Sequence, residues 1–212
     1  RLVEAVGAKL RPTRVRKVER VTITAPKIVP VRIRIRGITP FMQLRFGQKA
    51  RDKMVEKHKA GTQAQSKKVR EARNFDDDYE QAFHRMKDGS AGIPASAIRA
   101  ACISACRLVN FKMTVAKMSI FVRADGFDAL DGTPLIKIVG TPHQSIMPVR
   151  NATGVMDLRV RPVWNEWSAE FTIEFDEDQF SSSDVINLIA RAGLQVGLGE
   201  GRPDSKNSAG LG

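Results

Sequence analysis

The sequence predicts an α+β fold, and three observations lead to this prediction. Residues 31–36 alternate strictly between apolar and arginine side chains, and residues 167–176 alternate again near the other end of the chain. Alternation with a period of two is typical of half-buried strands. Helical patterns separate and follow these two strands, and the last helix begins at Ser181-Ser182-Ser183-Asp184, a sequence typical of a helix cap.

Taken in order, these elements predict a split βαβ, or ferredoxin-like, core with two insertions. A basic arm over residues 1–30, with a short strand at 21–24, comes before a domain over residues 31–212. The predicted elements of this domain are a strand at 31–36, a helix that is capped by Ser96 and runs to about 109, strands at 118–123 and 167–176, and a last helix. A basic helical insertion is expected at 45–90, with a break near Gly61, and an irregular insertion at 124–163, with one short strand at 135–139. Such a core calls for a further strand after the last helix, for which we consider residues 194–198 or residues beyond Gly212.

The charge is unevenly distributed along the chain. The net charge is +12, but residues 1–73 hold 21 Lys and Arg against 5 Asp and Glu, while residues 74–212 hold 14 against 18. Such asymmetry favours an anionic polymer as partner, most simply nucleic acid. The alternative is a basic surface that only keeps the protein in solution.

Few residues suggest catalysis, metal binding or a membrane. His84 follows Glu80 at helical spacing, which predicts a surface pair, and the Asp125, Asp128 and Asp131 cluster is better explained by turn chemistry than by a bound cation. Cys102 and Cys106 are expected to be buried free thiols. We therefore predict a protein that is not an enzyme, needs no cofactor or metal, does not enter a membrane and works in the cytoplasm.

Arg32, Arg34 and Arg36 project from one face of the first predicted strand, about 6.6 Å apart, because the strand rises about 3.3 Å per residue. This spacing suits the phosphates of an extended single strand. The alternative is cross-strand pairing with Glu170, Glu174 and Asp176, which alternate on the other predicted strand. Both interpretations remain open from the sequence. Aromatic residues make up only 6% of the chain, which favours contacts to the phosphate backbone over base stacking.

The chain closes with GLGEGRPDSKNSAGLG, which holds five of the sixteen glycines. Glycines at this density let a backbone approach a ligand closely or adopt positive φ. Arg202 and Lys206 lie among them, so we expect the ligand of this segment to be an anion.

Two segments together resemble a known family. Residues 92–101, GIPASAIRAA, resemble the IPGSSLKG-x-hR helix start of the RAMP superfamily, which includes backbone and processing subunits of CRISPR effector complexes. The closing GLGEGR…GLG resembles the glycine-rich loop at the C-terminus of that family. Ala95 stands where the family has Gly, and Ile98-Arg99 stand where Leu-Lys is typical. The sequence is also similar to bacteriophage proteins of this length.

The resemblance implies an RRM-related, ferredoxin-like fold and assembly along guide RNA, with the basic insertion in the place of a thumb. We therefore predict a non-catalytic, homo-oligomeric protein that binds single-stranded nucleic acid, RNA being favoured. Two alternatives are a phage protein that binds or anneals single-stranded DNA, and a structural or anti-defence protein with acidic protein partners. The predicted binding residues are Arg32, Arg34, Arg36, Ser96, Arg99, Gly197, Gly199, Gly201, Arg202 and Lys206.

Overall fold

The two alternating segments pair with each other in an antiparallel sheet, one at its edge and the other as its central strand. A computed structural model describes residues 23–61, 72–150, 154–206 and 208–212. Within them the fold is α+β, as predicted, and it contains two antiparallel sheets. In chain order the strands are β1 (Ile28–Arg36), β2 (Phe41–Met42), β3 (Gly92–Pro94), β4 (Ile120–Arg123), β5 (Gly126–Phe127), β6 (Pro134–Val139), β7 (His143–Arg150), β8 (Met156–Trp164) and β9 (Ser168–Asp176). The α-helices are α1 (Gln48–Ala60), α2 (Phe75–Gln81), α3 (Ala95–Ala105), α4 (Met113–Ser119) and α5 (Ser182–Arg191).

The larger sheet is centred on β9. Strand β1 pairs with one edge of β9 over nine residues, from Ile28 opposite Asp176 to Arg36 opposite Ser168. Strands β4 and β6 share the other edge of β9, and β3 lies beyond β6. Strand β1 is therefore at the edge of this sheet among the described strands.

Alternation along β1 and β9 gives the sheet one apolar and one polar face. The buried side chains of β9, from Ala169 to Phe175 in steps of two, pack with Ile98 and Cys102 of α3 and with Val185 of α5. Helices α3 and α5 therefore cover the apolar face and form the core. The arginines of β1 lie on the opposite face and are exposed.

The prediction that residues 140–163 are irregular is wrong. Strands β7 and β8 form a long hairpin there, and β2 pairs with the end of β8 to complete the second sheet. Leu158-Arg159-Val160-Arg161 does alternate, but the nearby prolines suggested an interruption. Pro148 is tolerated because β7 is an outer strand of this sheet. Its side away from β8 has no neighbouring strand among the described residues, so a missing N–H on that side breaks no hydrogen bond of the sheet.

The segment predicted as a basic helical insertion contains two helices among the described residues, the basic α1 and the acidic α2. Helix α1 ends at Gly61, which has φ 66°, as the predicted break requires. Asn74 caps α2 by accepting from the N–H groups of Asp76 and Asp77. Most of the basic arm, residues 1–22, lies outside the described residues, and Ile23 and Thr24 of the predicted strand at 21–24 are not in a strand.

The two predicted helix caps have opposite outcomes. Ser181 and Asp184 form a reciprocal capping box at the start of α5, which confirms that prediction. Ser96 does not cap α3: the helix begins at Ala95 directly after Pro94, whose φ of −55° already suits a helix start. Ser96 is therefore the second residue of α3, and its side chain is exposed.

Candidate nucleic-acid interface

The arginine row of β1 is part of a sheet face that no described helix covers. Arg32, Arg34 and Arg36 are exposed on this face, and Arg123 of β4 and Lys137 of β6 join them from the other side of β9. The central strand contributes acidic side chains, including Glu170 and Glu174. This face is therefore strongly charged, with cations on both sides of a narrow acidic strip.

The acidic strip pairs with only part of the cations. Glu170 forms an ion pair with Arg32, and Glu174 forms one with Arg123. The cross-strand alternative is thus confirmed for Arg32. Arg34 is directly opposite Glu170 in the register, but the carboxylate pairs with Arg32.

Arg34 and Arg36 differ from Arg32. Neither forms an ion pair or a side-chain hydrogen bond with any residue in the described part of the chain. Two guanidinium groups, each with five N–H donors, therefore face solvent at the edge of the sheet. Guanidinium groups of this kind bind phosphate oxygens in a bidentate way.

Arg99 has a different environment from the one predicted. Its Nε donates to the carbonyl of Ile120 at 2.7 Å, and its Nη2 donates to the carbonyl of Lys117. Its guanidinium also lies 5.7 Å from the ring centre of Phe121. Arg99 thus connects α3 to the start of β4, and two of its five N–H donors are used within the protein.

The closing glycine-rich segment folds back on itself and on β2. Gly197, Gly199 and Gly201 have φ between 74° and 79°, a region that favours glycine. The N–H of Glu200 donates to the carbonyl of Met42 at 2.8 Å, and that of Gly212 donates to Pro40 at 2.9 Å. The glycines therefore serve the packing of the loop, which the sequence alone did not reveal.

Several charged residues of this loop already pair with other groups of the protein. Glu200 forms an ion pair with Arg161 of β8, and Asp204 forms one with Arg107 at 2.7 Å. Arg202 Nη1 donates to the carbonyl of Gly199 at 3.1 Å. Lys206 is exposed at the surface.

The structure brings some of the predicted residues together and separates others. Arg34 and Arg36 border the same groove as Leu198 and Gly212, so the end of β1 and the end of the loop are neighbours. Arg99 is turned away toward β4. The predicted site thus divides into a β1 part, which adjoins the loop, and an α3 part.

A buried polar cluster was missed by the sequence analysis. Arg45 and Asp128 are almost fully buried and lie 3.3 Å apart, and His84 Nδ1 lies 2.8 Å from Asp128 Oδ2. The predicted pair between Glu80 and His84 is wrong, because α2 ends at Gln81 and Glu80 pairs with Arg85 instead. The spacing of Asp128 and Asp131 indicated a polar cluster, but it could not show which basic side chains pair with these carboxylates.

Asp131 completes this cluster and fastens α1 to the core. Its carboxylate accepts from the hydroxyl and N–H of Thr133 at 2.6 and 3.0 Å, and from Arg45 and Arg51 at 3.2 Å each. The Thr133 hydrogen bonds and these guanidinium groups hold the pKa of Asp131 well below its ordinary value of 3.8. Within the described residues, no group of three His, Cys, Asp or Glu side chains is placed to hold a metal ion.

Replacing Asp131 with asparagine is expected to lower the free energy of unfolding by about 1–3 kcal/mol at pH 7. A carboxylate with a depressed pKa stabilises the fold above its unfolded pKa, and this contribution is lost as the pH falls toward the folded value. The difference between wild type and Asp131→Asn should therefore shrink below about pH 4. Urea denaturation from pH 7 to pH 3 measures it, with the exposed Asp178→Asn as control. A difference that is constant over this range would contradict the assignment.

Comparison with known proteins does not assign this chain to a family. No protein-family model matches the chain, and no curated protein sequence matches it either. Every helix in the described ranges is too short or too polar to span a lipid bilayer.

Proposed function

We propose that this protein binds single-stranded nucleic acid, with RNA favoured, through the sugar–phosphate backbone, and that it forms homo-oligomers along the strand without catalysing a reaction. The observation that carries this proposal is the exposed sheet face on which Arg34 and Arg36 have no acidic partner among the described residues. An extended strand of phosphates offers the spacing and the charge that such a row can bind.

The arrangement of the larger sheet supports a ferredoxin-like, RRM-related core as part of this proposal. Strand β1, helix α3, strand β4, strand β9 and helix α5 follow in the order of a split βαβ unit, and both β1 and β4 are antiparallel to β9. Folds of this kind bind RNA on the sheet face that the helices leave open. The resemblance of residues 92–101 and 197–212 to the RAMP superfamily points to the same type of protein.

The distribution of charge and aromatic groups favours backbone contacts over base recognition. The positive charge is concentrated in the first 73 residues, which include β1 and α1. On the open sheet face, Phe121 is the exposed aromatic side chain among the described residues, at 41% exposure. RRM-type readers stack two or three bases on aromatics of this face. The shortage here predicts weak dependence on sequence.

A salt titration tests the proposal. Fluorescence anisotropy would compare labelled single-stranded RNA, single-stranded DNA and duplex of one mixed sequence between about 50 and 200 mM salt. We expect tight binding of the single strands that weakens steeply with salt, by about 0.7 in the log–log slope for each phosphate contact.

The outcomes distinguish the candidate functions. Tighter binding of RNA than of DNA of the same sequence would indicate contacts to the 2′-hydroxyl and supports the RNA proposal. Equal or better binding of DNA would favour a phage protein that binds or anneals single-stranded DNA. No binding of either strand at low salt would overturn both, and would leave an acidic protein as the partner.

A further inference from the structure

Among the described residues, strand β1 has an open edge, whose backbone groups can be assigned from its pairing with β9. Gly37 N–H donates to Trp167 and Lys27 carbonyl accepts from Glu177, each at 2.9 Å, so the odd-numbered residues direct their backbone groups to β9. In an antiparallel ladder the alternate residues point the other way. The N–H and C=O groups of Arg32, Arg34 and Arg36 therefore point away from the sheet, as does the carbonyl of Pro30.

An apolar groove of about 370 Å³ follows the C-terminal half of this open edge. It lies between β1 and helices α3 and α5, and its floor is lined by Ile33, Ile35, Ile98, Ala101, Cys102 and Ile189. Burial raises the pKa of the Cys102 thiol to about 12, so this side chain stays neutral and behaves as a small apolar group.

The rim of the groove is apolar as well. Ile38, Ile186 and Leu194 border it and are 77%, 52% and 65% exposed. Three large apolar side chains around one groove form a patch typical of an interaction surface. An open strand edge beside an apolar groove suits one kind of occupant, namely an extended strand with apolar residues at alternate positions.

This chain contains such a segment at residues 20–24, Arg-Val-Thr-Ile-Thr. Its apolar side chains, Val21 and Ile23, alternate with Thr22 and Thr24. Ile23 lies within the described residues, outside any strand, and is 89% exposed. With Val21 and Ile23 in the groove, the two threonines would lie on the arginine face. Their side chains are small and uncharged, so they would leave Arg34 and Arg36 available.

The segment cannot reach the groove of its own chain. Lys27 already belongs to the ladder with β9, and a hairpin back along β1 needs at least two turn residues. With Pro26 and Lys27 in the turn, Ala25 would lie opposite Ile28 and Ile23 opposite Pro30. The groove begins only at Ile33. If this segment fills the groove, it comes from another copy.

We propose that residues 20–24 of one copy add a strand to the open edge of β1 in a second copy, with Val21 and Ile23 in the apolar groove of that copy. Pro30 has no N–H, so the pairing is centred on residues 32–36. The contact joins two different surfaces and therefore links copies head to tail. This inference deepens the homo-oligomeric part of the proposed function and rests on that part.

Sedimentation velocity of the nuclease-treated full chain tests the inference in the absence of nucleic acid. We expect wild type to self-associate across the micromolar range, and Val21→Asp with Ile23→Asp to remain monomeric. The matched control, Thr22→Asp with Thr24→Asp, adds the same charge on the other side of the strand and should still associate. A monomeric wild type, or equal behaviour of the two double variants, would overturn the inference.

A mixing experiment makes the test independent of folding defects. Ile186→Asp with Leu194→Asp changes two exposed groove residues and should also give a monomer. Mixed with Val21→Asp/Ile23→Asp, it supplies an intact segment to an intact groove, so a complex of one copy of each is expected. No complex in the mixture would contradict the proposed contact. Binding of single-stranded RNA by each monomer, measured separately, distinguishes failure of this inference from failure of the proposed function.

Discussion

Replacing Arg34 and Arg36 together with alanine is expected to weaken binding of single-stranded RNA by about ten- to a hundredfold at low salt, because each guanidinium group contributes charge-assisted hydrogen bonds to phosphate. The loss of two phosphate contacts should also reduce the slope of log affinity against log salt by about 1.4. Anisotropy titrations at several salt concentrations measure both quantities. Fold stability should change little, since neither side chain has a partner among the described residues.

A control variant removes the same charge elsewhere. Arg85→Ala with Lys87→Ala acts at the other edge of the sheet. There the backbone of Arg85 forms an isolated β-bridge with Ala91, just before β3. This variant should retain most of the affinity and the full salt slope. Equal losses for the two double variants would show that only net charge matters, and would contradict a site on β1.

Glu170 provides a change in the opposite direction. Its carboxylate pairs with Arg32, for which it competes with phosphate, and its negative charge opposite Arg34 repels a phosphate there. Glu170→Gln should therefore tighten binding of single-stranded RNA and steepen its dependence on salt. Weaker binding by this variant would argue that the open sheet face does not contact the strand.

Replacing Gly199 with alanine is expected to lower the free energy of unfolding by about 2–5 kcal/mol, through two effects. Gly199 has φ 79°, where an L side chain is strained by about 1–2 kcal/mol. A Cβ there would also lie 2.4 Å from the carbonyl oxygen of Met42 and 2.7 Å from the ring of Phe41, so backbone or ring must move. Urea denaturation measures the loss.

Gly210 offers a matched control within the same loop. It has φ 70°, but a Cβ there meets no atom within 4 Å. Gly210→Ala should therefore cost only the conformational part, about 1–2 kcal/mol. A similar cost for both variants would mean that the loop does not pack against β2 as described.

The sequence predicted those parts of the fold in which a local pattern agrees with the final environment. Strands β1 and β9 are of this kind, because a strand with one buried face has alternating apolar and polar residues. The cap at Ser181 is another example, because a capping box has a recognisable pair of residue types three positions apart. The β7–β8 hairpin was missed because Pro148 suggested a break, and its place on an outer strand became visible only with the topology. The residue type of Ser96 predicts a cap, but the helix begins one residue earlier, directly after Pro94, so Ser96 lies inside its first turn.

The sequence predicts which charged residues share the sheet face, but it does not predict which of them form ion pairs. The alternation of β1 places Arg32, Arg34 and Arg36 on one face, but only the register shows that Glu170 reaches Arg32 and leaves the other two. Arg99 was expected to face a ligand, yet it donates to the carbonyls of Lys117 and Ile120, which are distant in sequence. Contacts of this kind depend on tertiary structure and leave no local pattern.

The attachment of the closing loop has a consequence for the order of folding. Its anchors are Pro40 and Met42, near the start of the chain, and Arg161, on β8. The loop can close only after β2 has paired with β8, because this pairing brings the anchors together. We therefore expect the C-terminal segment to dock as a late event, after both sheets have formed.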